Sequence, residues 1–485
     1  MKNKYLFIFA LSLTLAGCTK DFEEFNTDQK KPETVTGEML FSSAQKALAD
    51  QISTPNVNRN IFELWAQYWT ETTYTDEANY DIINRTIADY TFQVYYLDVL
   101  NDLKEATTLI STEEINEVNT QADVNNKLAI IELLVVYSYQ NLVDIFGNVP
   151  YTKALDINNL LPAYDDAKNI YTDLISRTDA ALTALAATGN AGFGPADLIY
   201  GGDVDAWIRF GNSLKIKLGI SIADEDAGLA QSTIESAVAG AFTSHGDDAI
   251  FAYQGAVPNA NKMYEEIIKS GRKDFVAANT LVDIMNGLDD PRLEFYFTQV
   301  DTSTEQGVEK LAYLGGAYGE TSPYTQYSHI DEAILKPTFP GLILTYDQVL
   351  FYLAEAAARG FSVGATAADL YNEAVQASFD FWDAGDASAY IAQPDVAYDA
   401  GTWKEKIATQ SWIAFYLRGL EGYTQWRRLD APAMNIAPTI TDASEIPTRF
   451  TYPINEQTLN ADNYFQAATA IGGDELTTKI FWDKN

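Results

Sequence analysis

The chain of 485 residues holds one cysteine, two histidines and only 32 lysines and arginines against 68 acidic residues. Each shortage closes a class of chemistry. A lone thiol, Cys18, forms no internal disulfide and no cysteine-based metal site, and its place at the N-terminus leaves no thiol for catalysis. His245 and His329 stand far apart, which gives a Ser-His-Asp arrangement or a histidine-rich metal site little to work with. Both read as surface or loop residues. A formal net charge of −36 repels phosphate backbones, so nucleic acid is excluded as a partner and polyanionic substrates are disfavoured. Beyond the first residues no run reads as a membrane span: the most apolar, Leu128 to Tyr139, is short and interrupted by Glu132. There is no glycine-rich phosphate loop, so no cofactor is expected; oxygen ligands for a structural calcium abound, but no Asp-x-Asp-x-Asp-Gly loop singles out a metal site. Asp380, Asp383 and Asp386 read as a solvated helix end. Glycoside hydrolysis needs only two carboxylates, but no spacing singles out a pair among so many.

What is present begins at the N-terminus. Lys2 and Lys4 precede an apolar run from Tyr5 to Leu15, which ends in Leu15-Ala16-Gly17-Cys18. A basic start, a short apolar stretch and small residues at the cut describe a removable secretory signal. The run is shorter than the roughly 20 residues that a bilayer core needs. A cysteine just after the small residues is the lipobox pattern: cleavage before Cys18 and acylation there give a lipid anchor, stable when several chains are attached. The expected organisation is a signal peptide over 1–17, a lipidated leader over 18–36 and one large domain over 37–485. Loss of Lys2 and Lys4 takes the net charge from −36 to −38.

From Gly37 the chain reads as mainly α. Apolar residues at steps of three and four (Leu128, Ile131, Val135, Tyr139, Leu142, Phe146) place one stripe on a helix face. Trp207, Phe210, Leu214 and Leu218 make a second stripe, Leu370, Ala374, Ala377 and Phe381 a third, and Trp403, Ile407, Ser411 and Ala414 a fourth. The helices come in pairs. Leu344–Gly360 with Ala367–Trp382 is close to the length of a tetratricopeptide unit, and Thr366 with Asp369 forms a capping-box pattern at the second start. Asn125–Phe146 with Tyr164–Leu185, and Asp203–Ala223 with Leu229–Ala239, are further pairs. Asp301 to Pro340 has no sustained period and reads as long loops, which in a compact protein are functional or disordered. The tail from Ala433 also lacks helical periodicity.

Several segments in order resemble the SusD/RagB family of nutrient-binding outer-membrane lipoproteins, in its SusD-like second branch. They are Phe146-Gly147-Asn148-Val149-Pro150-Tyr151, Gly202-Asp203 with Trp207 to Lys215, Asp290-Pro291-Arg292-Leu293, Thr409 to Ala414, Gly422-Tyr423-Thr424-Gln425-Trp426-Arg427-Arg428 with Pro432, Ile446-Pro447-Thr448-Arg449 with Tyr452-Pro453 and Glu456, and Lys479-Ile480-Phe481-Trp482-Asp483. Lys217 and Phe481 depart from the pattern, where the family often has Arg and Trp. The resemblance implies a tetratricopeptide-like scaffold of helical pairs with an irregular, loop-rich lobe. It also implies capture of a nutrient oligomer on the outer membrane and partnership with a SusC-like TonB-dependent transporter. Lys20 to Glu24 resemble a surface-export signal, which points the protein to the cell exterior. Most of the shared motifs read as structural. Arg427 and Arg428 are expected to pair with carboxylates where helices end rather than to bind an anion, Asp203 to cap a helix rather than to hold a metal, and Asp290-Pro291-Arg292 to form a turn or helix start.

A ligand site for neutral oligomers needs aromatic faces beside polar groups. Two clusters offer them. Trp65 to Tyr74, extending to Asn79 and Tyr80, is the first, although Trp65 and Trp69 sit four apart as on a buried helix face. The loop tyrosines Tyr318, Tyr324 and Tyr327 are the second. The candidate ligand residues are therefore Trp69, Tyr74, Asn79, Tyr80, Tyr318, Tyr324 and Tyr327, with Tyr74, Tyr80 and the loop tyrosines favoured because loops are exposed. The expected role is a binding protein for an oligosaccharide, or with the same role for a peptide. A lipid-anchored glycoside hydrolase and a protein-only adaptor are the rivals from other classes.

Overall fold

A computed structural model describes residues 35–117, 119–188, 191–303 and 310–484; the signal segment, Cys18 and Lys20 to Glu24 lie outside them. Helix α1 (Gly37–Ser53) opens the unit Gly37–Asn485. It is followed by α2 (Asn101–Ser111), α3 (Gln121–Phe146), α4 (Ala167–Thr188), α5 (Val204–Ser221) and α6 (Ala227–Ala237). The second half carries α7 (Tyr346–Ala358), α8 (Ala367–Trp382), α9 (Trp403–Ala414), α10 (Gly419–Leu429), α11 (Ile454–Leu459) and α12 (Ala461–Ala470). α3 packs on α4, α5 on α6 and α7 on α8, the three pairs that the periodicity predicts. α4 also meets α5, and α7 meets α5 and α9, so the pairs stack around a continuous core.

The helix starts follow local chemistry. Thr120 and Asp123 form a reciprocal capping box at α3, and Gly147 at φ +83° ends that helix. Asp203 caps α5 by accepting from the Ala206 amide at 3.0 Å, as expected. Thr366 accepts from the Asp369 amide at 3.1 Å at the start of α8. α3 is long and apolar enough to cross a membrane by length and composition, but 83% of its most apolar stretch is buried against its neighbours, as a core helix is. The tail differs from the reading: α11 and α12 are helical there.

Eight short strands lie among the described residues and pair two by two, all antiparallel. They are β1 (Trp69–Glu71), β2 (Val149–Pro150), β3 (Tyr164–Asp165), β4 (Ala249–Phe251), β5 (Phe275–Ala277), β6 (Val300–Asp301), β7 (Leu311–Ala312) and β8 (Gly341–Leu344). β1 pairs with β5, placing Trp69 opposite Ala277 and Glu71 opposite Phe275. This ribbon anchors the loop-rich lobe. Between Asp301 and Pro340 the described residues carry only β6, β7 and a 3-10 turn at Tyr324–Gln326, in line with the loops expected there.

The shared motifs work as fasteners. Arg428 reaches the Glu355 carboxylate at 2.6 Å and the Ile220 carbonyl at 2.7 Å. Arg427 does not pair with a carboxylate: its guanidinium donates to the Asp144 and Thr448 carbonyls at 2.8 and 2.7 Å and lies between the Tyr423 and Trp482 rings. Arg292 and Asp290 form a fully buried pair at 2.6 Å. Lys217, a departure from the family pattern, is buried against Glu421 with its ammonium 4.7 Å from the Tyr137 ring centroid. In the closing segment, Trp482 donates to Asp144 at 2.9 Å and ties the chain end to α3.

Candidate ligand-binding cleft

The chain leaving β1 folds back over its own ribbon. The Thr72 amide donates to the Asp274 carbonyl at 2.9 Å and its hydroxyl to the Lys273 carbonyl at 2.7 Å, which extends the pairing by one residue. The next loop is closed at both ends. Ala78 donates to the Glu71 carboxyl at 3.1 Å, and Asn79 spans the turn to the Thr75 carbonyl at 2.7 Å. Held in this way, the loop lifts Tyr74 clear of the surface, where it is 80% exposed.

Below Tyr74 lies a cleft of about 400 Å³, walled by the loop that carries Glu71, Asp76 and Glu77, by Arg272, Asp274 and Phe275, by Arg85, and by Pro55, Val57 and Asn58. Its polar groups are fixed. Arg85 pairs with Glu77, lies 3.8 Å from Asp76 and donates to Asn58 at 3.1 Å. Burial lifts the Glu71 carboxyl to about 8 against the Ala78 hydrogen bond and the charge of Arg85, so it keeps its proton at neutral pH and can donate as well as accept. Lys273 points away from this wall, with its ammonium 5.1 Å from the ring centroid of Tyr324. Tyr324 stacks on His329 at 4.3 Å with the planes 10° apart. Burial and the Lys273 charge hold the His329 ring below its usual pKa, so that face is aromatic and uncharged.

The candidate residues separate. Tyr74 is exposed, and Tyr324 and Tyr327 are half-buried on the surface loop. Four candidates are corrected. Trp69, Tyr80 and Tyr318 are buried to 3% exposure or less, so none offers a ring face to a ligand. Trp69 donates to the Tyr416 hydroxyl at 3.1 Å, and Tyr80 lies edge-on to Trp65. Asn79, 6% exposed, is a fastener: its amide donates to Gly319 at 2.7 Å and its oxygen accepts from Thr439 at 3.1 Å, joining three loops. The loops are buried by one another, which the rule that loops are exposed does not foresee. Arg85, Arg272 and Phe275 were not signalled. Arg272 and Phe275 are brought to the cleft by the β1–β5 pairing and Arg85 by its bonds to Glu77 and Asn58, contacts that no local sequence pattern encodes.

The histidines are structural. His245 bridges Asp248 at 2.8 Å and the Ala377 carbonyl at 2.7 Å. Among the described residues no group of histidine, cysteine and carboxylate side chains could hold a metal ion. Asp380, Asp383 and Asp386 are exposed at the end of α8.

Residues 29–453 match the model of a family described as "Starch-binding associating with outer membrane". No curated protein matches the sequence. Among solved structures, a chitin-binding protein is 25% identical with a TM-score of 0.79, covering 93% of this chain and all of its own. A SusD homologue from Bacteroides thetaiotaomicron is also 25% identical, with a TM-score of 0.75 over 92% of this chain and 99% of its own. A chitin-binding SusD homologue from Flavobacterium johnsoniae, 22% identical, shares the fold with a TM-score of 0.75 over 93% of this chain and 97% of its own.

Proposed function

The chain belongs to the SusD-like family of outer-membrane-associated starch-binding proteins, and from that membership we propose that it captures glycan oligomers in the Tyr74 cleft and passes them to a TonB-dependent transporter. The family binds carbohydrate and does not catalyse its cleavage. One observation carries the placement: Tyr74 stands 80% exposed over a cleft of fixed donors and acceptors, while all eight tryptophans are buried or half-buried. A sugar ring has an apolar face that lies on such a phenol, and a rim of hydroxyls that suits the mixed wall below. The 25% identical chitin-binding relative supports an N-acetylhexosamine chain as the first ligand to try, and the family description supports a starch fragment as the second. Lipid on Cys18 holds the protein at the outer membrane with its cleft towards the medium.

The test is titration of the mature protein with chito- and malto-oligosaccharides and with peptides of matched length. A glycan series is expected to bind, with no shortened product released. Tyr74→Ala should weaken binding about tenfold, or 1.4 kcal/mol. Peptide binding in place of glycan binding would reassign the ligand. Unchanged affinity in Tyr74→Ala would move the site elsewhere. The partnership is tested separately, by co-purification of a barrel protein with the lipidated chain from detergent-solubilised outer membranes.

A further inference from the structure

A second cleft, of about 550 Å³, adjoins the first and has no part in the reading so far. One turn stands between the two. The turn after α1 gives Pro55, Val57 and Asn58 to the Tyr74 cleft and Thr54, Asn56 and Arg59 to the second. Arg272, Asp274 and Phe275, at and just before the start of β5, wall the first, and Lys262 and Glu266, on the helical stretch before them, wall the second. The stretch from Arg85 onward gives Arg85 to the first and Val94, Leu97 and Asp98 to the second. Residues of the 54–59 turn line both clefts, so the clefts lie on either side of it.

The second cleft is built for a ligand rather than left over from packing. Its two flanking walls are π-helical, at Val94–Leu100 and Tyr264–Lys269, a widened geometry that is rare and recurs at functional sites. At its base Gln51 is 4% exposed; its amide nitrogen donates to the Arg59 carbonyl at 2.9 Å, and its oxygen has no partner. An unmade acceptor in a buried position is unfavourable, and a ligand donor that reached it would recover the loss. Lys46 and Lys262 are both held by Asp50, at 2.5 and 3.6 Å. Arg59 at the mouth is exposed and has no carboxylate partner among the described residues. Leu97, 54% exposed, supplies an apolar shelf. Charges of both signs line the cleft, Lys46, Lys262 and Arg59 against Asp50, Asp98, Asp102 and Glu266, and offer donors and acceptors that suit a hydroxyl-rich chain.

We propose that the two clefts form one track, and that the natural ligand is an extended glycan whose far end lies in the second cleft across the 54–59 turn. This rests on the glycan reading above. The test is calorimetric titration of the mature protein with graded chito-oligosaccharides and malto-oligosaccharides, from dimer to hexamer, for wild type, Tyr74→Ala, Arg59→Ala and the double variant Arg59→Ala/Asp98→Ala. Arg59 and Asp98 are exposed, so folding is not at stake, and thermal melts check it. For wild type the hexamer should bind at least tenfold more tightly than the dimer. The double variant should reduce that gain to about twofold, whereas Tyr74→Ala should weaken all lengths together. Length-independent binding, or a gain that survives the double variant, overturns the track and leaves the Tyr74 site standing. Failure of both series to bind at all overturns the glycan reading and the track with it.

Discussion

Glu63 lies fully enclosed beside the start of α10, where one carboxyl oxygen accepts from the Gly419 amide at 2.8 Å and the other has no partner. Burial lifts its pKa from 4.5 to about 8, against the pull of the Gly419 hydrogen bond and the charge of Arg418. The unfolded chain releases this proton near 4.5 and the folded chain only near 8. Between those values the folded state binds more protons, so stability falls as pH rises, by about 1.4 kcal/mol per pH unit for this one group. Glu63→Gln keeps the acceptor and removes the titration. Its stability relative to wild type should therefore grow from pH 5 to pH 8, read as the shift in denaturation midpoint at each pH. A constant difference would show that Glu63 is ionised in the fold. Individual site residues were less legible than this chemistry is once the fold is known. Tyr74 could be picked out as an aromatic in a turn-rich stretch. Tyr80 and Tyr318 carry the same local signal, yet they are buried, because Asn79 draws their loops together across 240 residues of chain. No local pattern encodes a bond of that span.

At the level of elements, the legible helices were those with an apolar stripe. α3, α5 and α8 bury one face or more and show it in their spacing. α11 buries none of its residues and α12 only Ala467, so neither has a stripe to read. They are held instead by polar ties to the 161–164 segment: Tyr164 donates to Glu456 at 3.0 Å and Asn460 to the Pro162 carbonyl at 2.9 Å. The family motifs carry information of another kind, close packing. Gly422 in α10 faces Tyr68, and a Cβ there would stand 2.0 Å from the tyrosine oxygen. Tyr68 in turn donates to the Trp412 carbonyl at 2.5 Å and accepts, through its own carbonyl, from Ala278 just after β5. Gly422→Ala must therefore displace Tyr68, the residue just before β1. It should cost about 1–3 kcal/mol by overpacking, measured by chemical denaturation, and should weaken glycan binding although α10 does not line the cleft. Loss of stability with unchanged affinity would mean that the ribbon absorbs the shift before it reaches Tyr74.

For the whole molecule, the acidic surface and the N-terminal cysteine set the working arrangement. If the chain is cut before Cys18, the remaining charge of −38 disfavours phosphate and polyanions as cargo and leaves uncharged or cationic oligomers. If acylation of Cys18 is what holds the protein, Cys18→Ala should shift it from the membrane pellet to the soluble fraction while purified samples of the two forms bind glycan equally. Facing is a separate question with its own readout. Protease added to intact cells should remove the anchored wild-type domain and spare periplasmic markers, because a protein on the inner side of the outer membrane is out of reach. Replacing Lys20 to Glu24 with alanines should then retain the lipid and the fold but protect the domain from the protease. Continued digestion of that variant would show that surface display is directed from elsewhere in the chain, and survival of the wild type would place the cleft in the periplasm.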